Sequence, residues 1–480
     1  MLTEIPMMRL KSALVACVPL SLVLAAPAAR GAEASSEGGT VPVGVARIDI
    51  TPSFPVRLVG YASRTTESEG VAMKIWAKAL AVGGDSGEGP AVLMMVENCG
   101  VPASLTEDVA AYLKDKFGVK RERFVVASTH IHTGPWLEGF IPLHFTRAIP
   151  DEHRQHMRQY TAQLREAMKK VAAEALASRK PGRLAWAQGT LPFAINRRVV
   201  QNGKWVKIGL NPEGPVDHSM PLLRVTDEKG RLMAVVVNYA CHCTTLGGQH
   251  NKIHGDWAGC AQQRIEAEHP GVTAMITLGC GGDANPEPRG DWALAEEHGR
   301  EVLAEVDRLL AGPMKPIQPA LSARFQRIQL PFGKLPTREE LVADAKKSDI
   351  KGNLAKMLLA GLDRGEPIPD KLDYSVAVWT FGNDLAMVFL PGEVVVDYVL
   401  RLKRELDPAR LWVSAYSNDV PCYIASKRLL PEGGYEVDSS MMSYGRPARL
   451  APEAEDLIIQ TVHRLMPREF ERSSKGVSPQ

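Results

Sequence analysis

Four apolar runs do most to limit what this chain can fold into, because each stops at a polar, glycine-containing loop with helix-type spacing beyond it. They are Phe124 to Pro135, Leu232 to Cys243, Ala274 to Asp283 and Leu385 to Glu393. Strand-like runs alternating with helical patterns argue for an α/β fold, with mixed sheets flanked by helices. In such folds sites gather at strand ends, where loops bring distant residues together over a rigid frame. The residues delivered there are His130 and His132, His242, Asp283 and Glu393.

The first run carries the sharpest motif, Thr129-His-Ile-His-Thr-Gly-Pro135. In an extended backbone residues i and i+2 share a side, so both imidazoles would face one spot. Such a pair can grip a metal, or one ring can bind while the other handles protons. Two histidines in a polar loop can equally be hydrogen-bonded surface residues. In the second run alternation sets Cys241 and Cys243 on one side and His242 on the other, which makes the thiols packing residues. Glu393 stands where a strand gives way to a helix pattern, where an acidic first turn is also favoured by the helix dipole.

Other stretches supply the frame. Val43 to Pro52 alternates like a strand, with Asp49 as a turn cap. Ala91 to Val96 is apolar on both faces, as in a central strand, and Leu105 to Phe117 has helical spacing with a Gly118 stop. Glu152 to Ser178 is a long amphipathic helix that places His153 and His156 on a solvated face. Ser375 to Phe381 and the Leu385 run flank Gly-Asn-Asp as a hairpin. Lys334 to Lys371 reads as a helical cover, Trp412 to Ala415 as a last short strand, and Glu453 to Leu465 as a closing helix.

Composition excludes several classes. The 480 residues are 45% hydrophobic and 23% charged, an ordinary globular balance. A net charge of +2 gives no electrostatic case for nucleic acid. Arg9 and Lys11, an apolar run from Ala13 to Ala26 and small residues to Ala28 read as an export signal over 1–28, which implies a periplasmic or secreted protein. Leu14 to Cys17 loosely fits a lipoprotein box, but the apolar run continues past the cysteine. Residues 29–41 read as a flexible lead-in, 42–470 as one catalytic domain and 471–480 as a tail. No later stretch approaches the ~20 apolar residues of a membrane helix. Six cysteines outside the signal leave room for one or two disulfides.

Asp49-Ile-Thr-Pro, Thr129 to Pro135, Asn196-Arg197, His242 with His254-Gly-Asp-Trp-Ala-Gly259, Gly282-Asp283, Pro391-Gly-Glu393 and Tyr423 followed by Tyr435-Glu436 occur in order. Jointly they resemble the neutral/alkaline, non-lysosomal ceramidase family over about residues 42–470. The resemblance implies a neutral ceramidase-like fold and a Zn2+-dependent amidase that cuts the N-acyl bond of ceramide. It implies His130, His242, Glu393 and Tyr423 as zinc ligands, with His132, Arg197 and Tyr435 around the scissile group. A lipid or other N-acyl substrate follows, with peripheral membrane contact open.

The chain departs from the family at Gly282-Asp-Ala-Asn-Pro-Glu287, where Asn285 stands in place of a serine with a role near the reacting group. An asparagine amide can donate a hydrogen bond but cannot be a nucleophile. Trp136-Leu-Glu138 replaces the usual glycines after Pro135. Two other readings compete: a different metal hydrolase of amidohydrolase-barrel type, and a catalytically silent binding protein on the same scaffold.

Overall fold

The computed structural model describes residues 39–472; the expected signal segment and most of the tail lie outside them. Strand β1 (Val41–Asp49) begins one residue inside the expected lead-in and pairs antiparallel with β2 (Trp76–Val82). Next come β3 (Ala91–Val96), α1 (Ala103–Phe117) and β4 (Phe124–Ser128), with β3 and β4 parallel. Gly118 ends α1 in the left-handed conformation (φ 66°) that glycine adopts without steric cost. Asp49 caps its turn through the Thr51 amide.

Helix α2 (Asp151–Ala177) leads to β5 (Lys180–Thr190), the ribbon β6 (Ala194–Gln201) and β7 (Lys204–Asn211), then β8 (Ser219–Asp227) and β9 (Leu232–Tyr239). After α3 (Asp256–Glu268) come β10 (Thr273–Leu278), β11 (Ala284–Pro286), α4 (Trp292–Ala311) and β12 (Lys315–Ile317). The main sheet runs β10-β9-β8-β5-β1-β2-β3-β4, with β12 beside β5, while β11-β6-β7 forms a separate three-stranded sheet. Parallel pairs at both ends and antiparallel pairs between make the sheet mixed, unlike the all-parallel barrel of the amidohydrolase alternative.

The C-terminal part builds a second sheet from β13 (Leu321–Pro331), β14 (Lys371–Phe381), β15 (Leu385–Phe389) and β17 (Leu411–Ser414). The expected hairpin is present, Phe381 pairing with Leu385. Helices α5 (Arg338–Asp344) and α6 (Ile350–Asp363) form the expected cover. The ribbon of β16 (Glu393–Val394) and β18 (Tyr423–Ile424), helices α7 (Asp397–Glu405) and α8 (Ser440–Ser443), and the closing α9 (Glu453–Leu465) complete the chain.

Alternation along the strands divides the core. Leu93 and Met95 face Trp379, Phe389 and Trp412 between the two sheets, whereas Val92, Met94 and Val96 face α1 and α2. The segment after β17 then ties the two edges of the main sheet together: Ala415 donates to Leu278 of β10, and Ser128 of β4 donates to Tyr416. The ends of β4, β9 and β10 are thereby drawn to one place. Six cysteines among the described residues are all buried and free, so the disulfides left open by the sequence do not form. No helix of the described residues is long and apolar enough to cross a membrane.

Candidate metal centre

Three of the four apolar runs deliver a side chain to a single point. His130 Nε2 lies 3.1 Å and His242 Nε2 3.0 Å from the same oxygen, Oε2 of Glu393. All three residues are 97% or more buried: 1%, 0% and 3% exposed. Each imidazole is oriented from behind. His130 Nδ1 sits 2.6 Å from the Cys99 carbonyl and His242 Nδ1 2.7 Å from the Gly281 carbonyl. A carbonyl brings no proton, so each Nδ1 is the donor, and in the neutral ring Nε2 turns a lone pair toward Glu393.

Two imidazole lone pairs and a carboxylate oxygen facing one another at 3 Å call for a positive charge between them. The electrostatics agree. Burial opposes charge on His130, but Cys99 and Glu393 outweigh it and hold its pKa up to about 10. His242 is pressed down to about 3 by burial, with the Arg197 cation adding to it. Burial would raise Glu393, yet His130 and His242 keep it well below the usual carboxylate range. The two histidines shift in opposite directions although they share one partner: His130 holds a proton toward Glu393, His242 stays neutral, and one positive charge stands beside the ionised carboxylate. A metal cation fits that place and that donor set.

The backbone reaches this arrangement by a different route from strand alternation. Strand β4 ends at Ser128, and His130 adopts φ 52°, a left-handed turn that a non-glycine residue takes at some cost. The turn nevertheless leaves His132 Nε2 3.2 Å from His130 Nε2. His132 Nδ1 is buried without a hydrogen-bond partner. A Cβ on Gly60 would lie 2.4 Å from His132 Cγ, so only glycine leaves room for that ring.

Tyr423 pairs in register with Glu393 across the β16–β18 ribbon and brings its hydroxyl 3.4 Å from His242 Nε2. Arg197, on β6, is 4% exposed and uses each of its three nitrogens once: it donates to Tyr423 (3.0 Å), to Asn285 Oδ1 (3.2 Å) and to Glu436 (2.9 Å). Asn285, on β11, also accepts from Thr244 (3.2 Å) through the same Oδ1. Tyr435 opens a π-helical turn, its ring edge-on to Tyr423 at 5.4 Å. The expected ligands His130, His242, Glu393 and Tyr423 thus lie in one connected cluster with His132, Arg197, Tyr435 and Asn285.

Some expectations do not hold. Asp283 turns away and accepts from the Val396 amide (2.8 Å) and Asn196 (3.1 Å), so it braces the loops. His153 and His156 are half-buried at the edge of the solvated face of α2. His153 accepts from Arg57 and His156 pairs with Glu67, because α2 packs there against the segment after β1. Sequence reasoning passed over Tyr444, which donates to Glu393 Oε1 (2.5 Å), and Tyr416, whose ring lies 4.5 Å from His130. Both are aromatics in irregular segments after the last recognised strand, with no spacing to mark them.

Comparison with known proteins agrees with the sequence motifs. The family model for neutral/alkaline non-lysosomal ceramidase, N-terminal, matches residues 42–298. The neutral ceramidase of Pseudomonas aeruginosa is 24% identical over 343 residues, 68% of this chain and 50% of that protein. Neutral ceramidase B of Dictyostelium discoideum is 26% identical over 285 residues, 53% of this chain and 37% of that protein. The chain therefore spans half or less of the length of these curated relatives. The crystal structure of the Pseudomonas aeruginosa neutral ceramidase superposes with a TM-score of 0.68 at 18% identity, covering 92% of this chain and 77% of that one. With the family model spanning more than half its length, this chain belongs to the neutral/alkaline non-lysosomal ceramidase family.

Proposed function

We propose that this chain is a zinc-dependent amide hydrolase that cleaves the N-acyl bond of ceramide or a related N-acyl compound. The observation that carries the reading is the convergence of His130 Nε2, His242 Nε2 and Glu393 Oε2, with each imidazole held from behind by a carbonyl. These three would hold the zinc, with the Tyr423 hydroxyl as a fourth ligand. Zinc held there supplies Lewis acidity toward an amide carbonyl and brings a water's pKa from 15.7 down to about 7.

The chain's own residues do the rest. Arg197 fixes the Tyr423 hydroxyl and presents positive charge beside it, where an amide oxygen gains negative charge. A donor of this kind is worth about 3 kcal/mol in a site closed to water. Tyr435, packed on Tyr423, is a second donor candidate. His132, whose Nε2 stands 3.2 Å from His130 Nε2, takes a proton and returns it to the leaving amine. Asn285 holds Arg197 in place through Oδ1 and leaves its amide hydrogens for the substrate, a role that needs no nucleophile. Export, read from residues 1–28, is part of the same proposal.

Zinc content and fatty-acid release from ceramide and from short N-acyl amides test it. Wild-type protein is expected to carry zinc and to hydrolyse at least one of these, and His242→Ala to lose both. A full zinc load in the variant would overturn the ligand set. A zinc-loaded wild type that turns over no N-acyl compound would favour the silent binding protein.

A further inference from the structure

Beside the candidate centre lies a pocket of 450 Å³ whose charged lining residues are all arginines: Arg57, Arg64 and Arg147. Ser63, Thr65 and Phe145 also line it, and no carboxylate does. Arg57 and Arg64 are 4% and 6% exposed, yet neither meets an acidic group in an ion pair among the described residues. Arg64 spends its terminal nitrogens on the carbonyls of Val59 (3.0 Å), His132 (2.6 Å) and His250 (2.9 Å), and its Nε is buried without a partner. Arg57 donates to the Arg64 carbonyl (2.7 Å) and to His153 (3.1 Å), with its guanidinium 4.8 Å from the Phe145 ring centre. Glu67 supports the Arg57 charge without contacting it and is hydrogen-bonded to His156, so it is shared among these groups and does not enter the pocket.

Carbonyls satisfy guanidinium donors but do not cancel the charge, and a buried charge without a counter-charge is costly. Burial presses Arg64 down to about 10, which still leaves it charged at neutral pH. Three arginines line this cavity and no carboxylate does, so its charge favours an anion. Arg64 is spent on carbonyls, but Arg57 uses only Nε and one terminal nitrogen on the protein and Arg147 is exposed, which leaves guanidinium donors that match the oxygens of phosphate or carboxylate.

We propose that this pocket binds a compact oxyanion, a phosphate or carboxylate group, next to the candidate metal centre. The Arg64 contact with the His132 carbonyl ties the two sites through one backbone segment. The oxyanion is either the acidic head of an N-acyl substrate, a version that rests on the hydrolase reading above, or a free anion, a version that does not.

Calorimetric titration of the full chain with inorganic phosphate at low ionic strength, with chloride as control, reads binding without turnover. One saturable phosphate site is expected, weakened about tenfold or more in Arg147→Glu, a change at an exposed side chain, and likewise in Arg57→Gln. No saturable phosphate binding to the wild type, or the same affinity in both variants, overturns the proposal. Displacement of phosphate by an N-acylglycine assigns the pocket to a substrate's acidic head. Phosphate binding that N-acylglycine leaves untouched assigns it to a free anion. Because none of these readouts needs hydrolysis, an inactive enzyme would count against the hydrolase reading and not against the pocket.

Discussion

The two oxygens of Glu393 have different neighbours, and the difference decides how firmly the carboxylate is aimed. Oε2 faces His130 and His242, while Oε1 accepts the Tyr444 hydroxyl. Without that donor the carboxylate could rotate about its last bond and lose the shared contact. Groups that orient a ligand from behind commonly change metal affinity by about 10–100-fold. Tyr444→Phe keeps the ring and its edge-on packing against Phe140 while removing the hydroxyl. Zinc affinity, measured by competition with a chromogenic chelator, is expected to fall within that range. An affinity equal to wild type would mean that the backbone of β16 alone fixes Glu393.

The loop after β10 and the two-stranded ribbon of β16 and β18 act together as one element of the site. Gly282 lies so close to the ribbon that an added Cβ would stand 2.5 Å from the Glu393 carbonyl oxygen and 2.9 Å from that of Val394. Both obstacles are backbone, which cannot rotate aside, so Gly282→Ala must displace the strand that carries the carboxylate. Overpacking of this kind costs about 1–3 kcal/mol. A lower melting temperature and at least tenfold weaker zinc binding are the expected results, read by calorimetry and chelator competition. Retained affinity with lowered stability would separate the ribbon from the proposed metal site. This element also marks the limit of what the sequence discloses. His130, His242 and Glu393 were legible because each closes an apolar run, and Leu93 against Met94 foretold a strand covered on both faces. Tyr444 and the left-handed turn at His130 were not, because they depend on contacts between segments far apart in the chain. Asp283 misled for the converse reason: it also ends an apolar run, but its carboxylate is consumed by the Val396 amide.

At the scale of the whole molecule, burial of ionisable groups sets up two opposing pH dependences. His144 is buried and accepts the Gly60 amide through Nε2 (3.1 Å). Burial, with the Arg64 charge beside it, presses its pKa down to about 3. The unfolded chain would protonate it near 6.5. Between those values the unfolded state binds the extra proton, so the stability owed to neutral His144 is full above pH 6.5 and is lost as pH falls toward 3. Glu97, Asp283 and Asp419 act in reverse. Burial raises them to about 7, 6 and 6, so their stabilising effect is full below the unfolded carboxylate range and is lost as pH rises through those values. The two sets offset each other between roughly pH 4 and 6.5. His144→Gln keeps an acceptor for Gly60 and removes the titration. In metal-free protein, urea unfolding at pH 6.5, 5.5 and 4.5 should show the variant gaining on wild type as pH falls, by up to about 1.4 kcal/mol per pH unit. Parallel profiles for the two proteins would mean that the folded state protonates His144 as readily as the unfolded chain does.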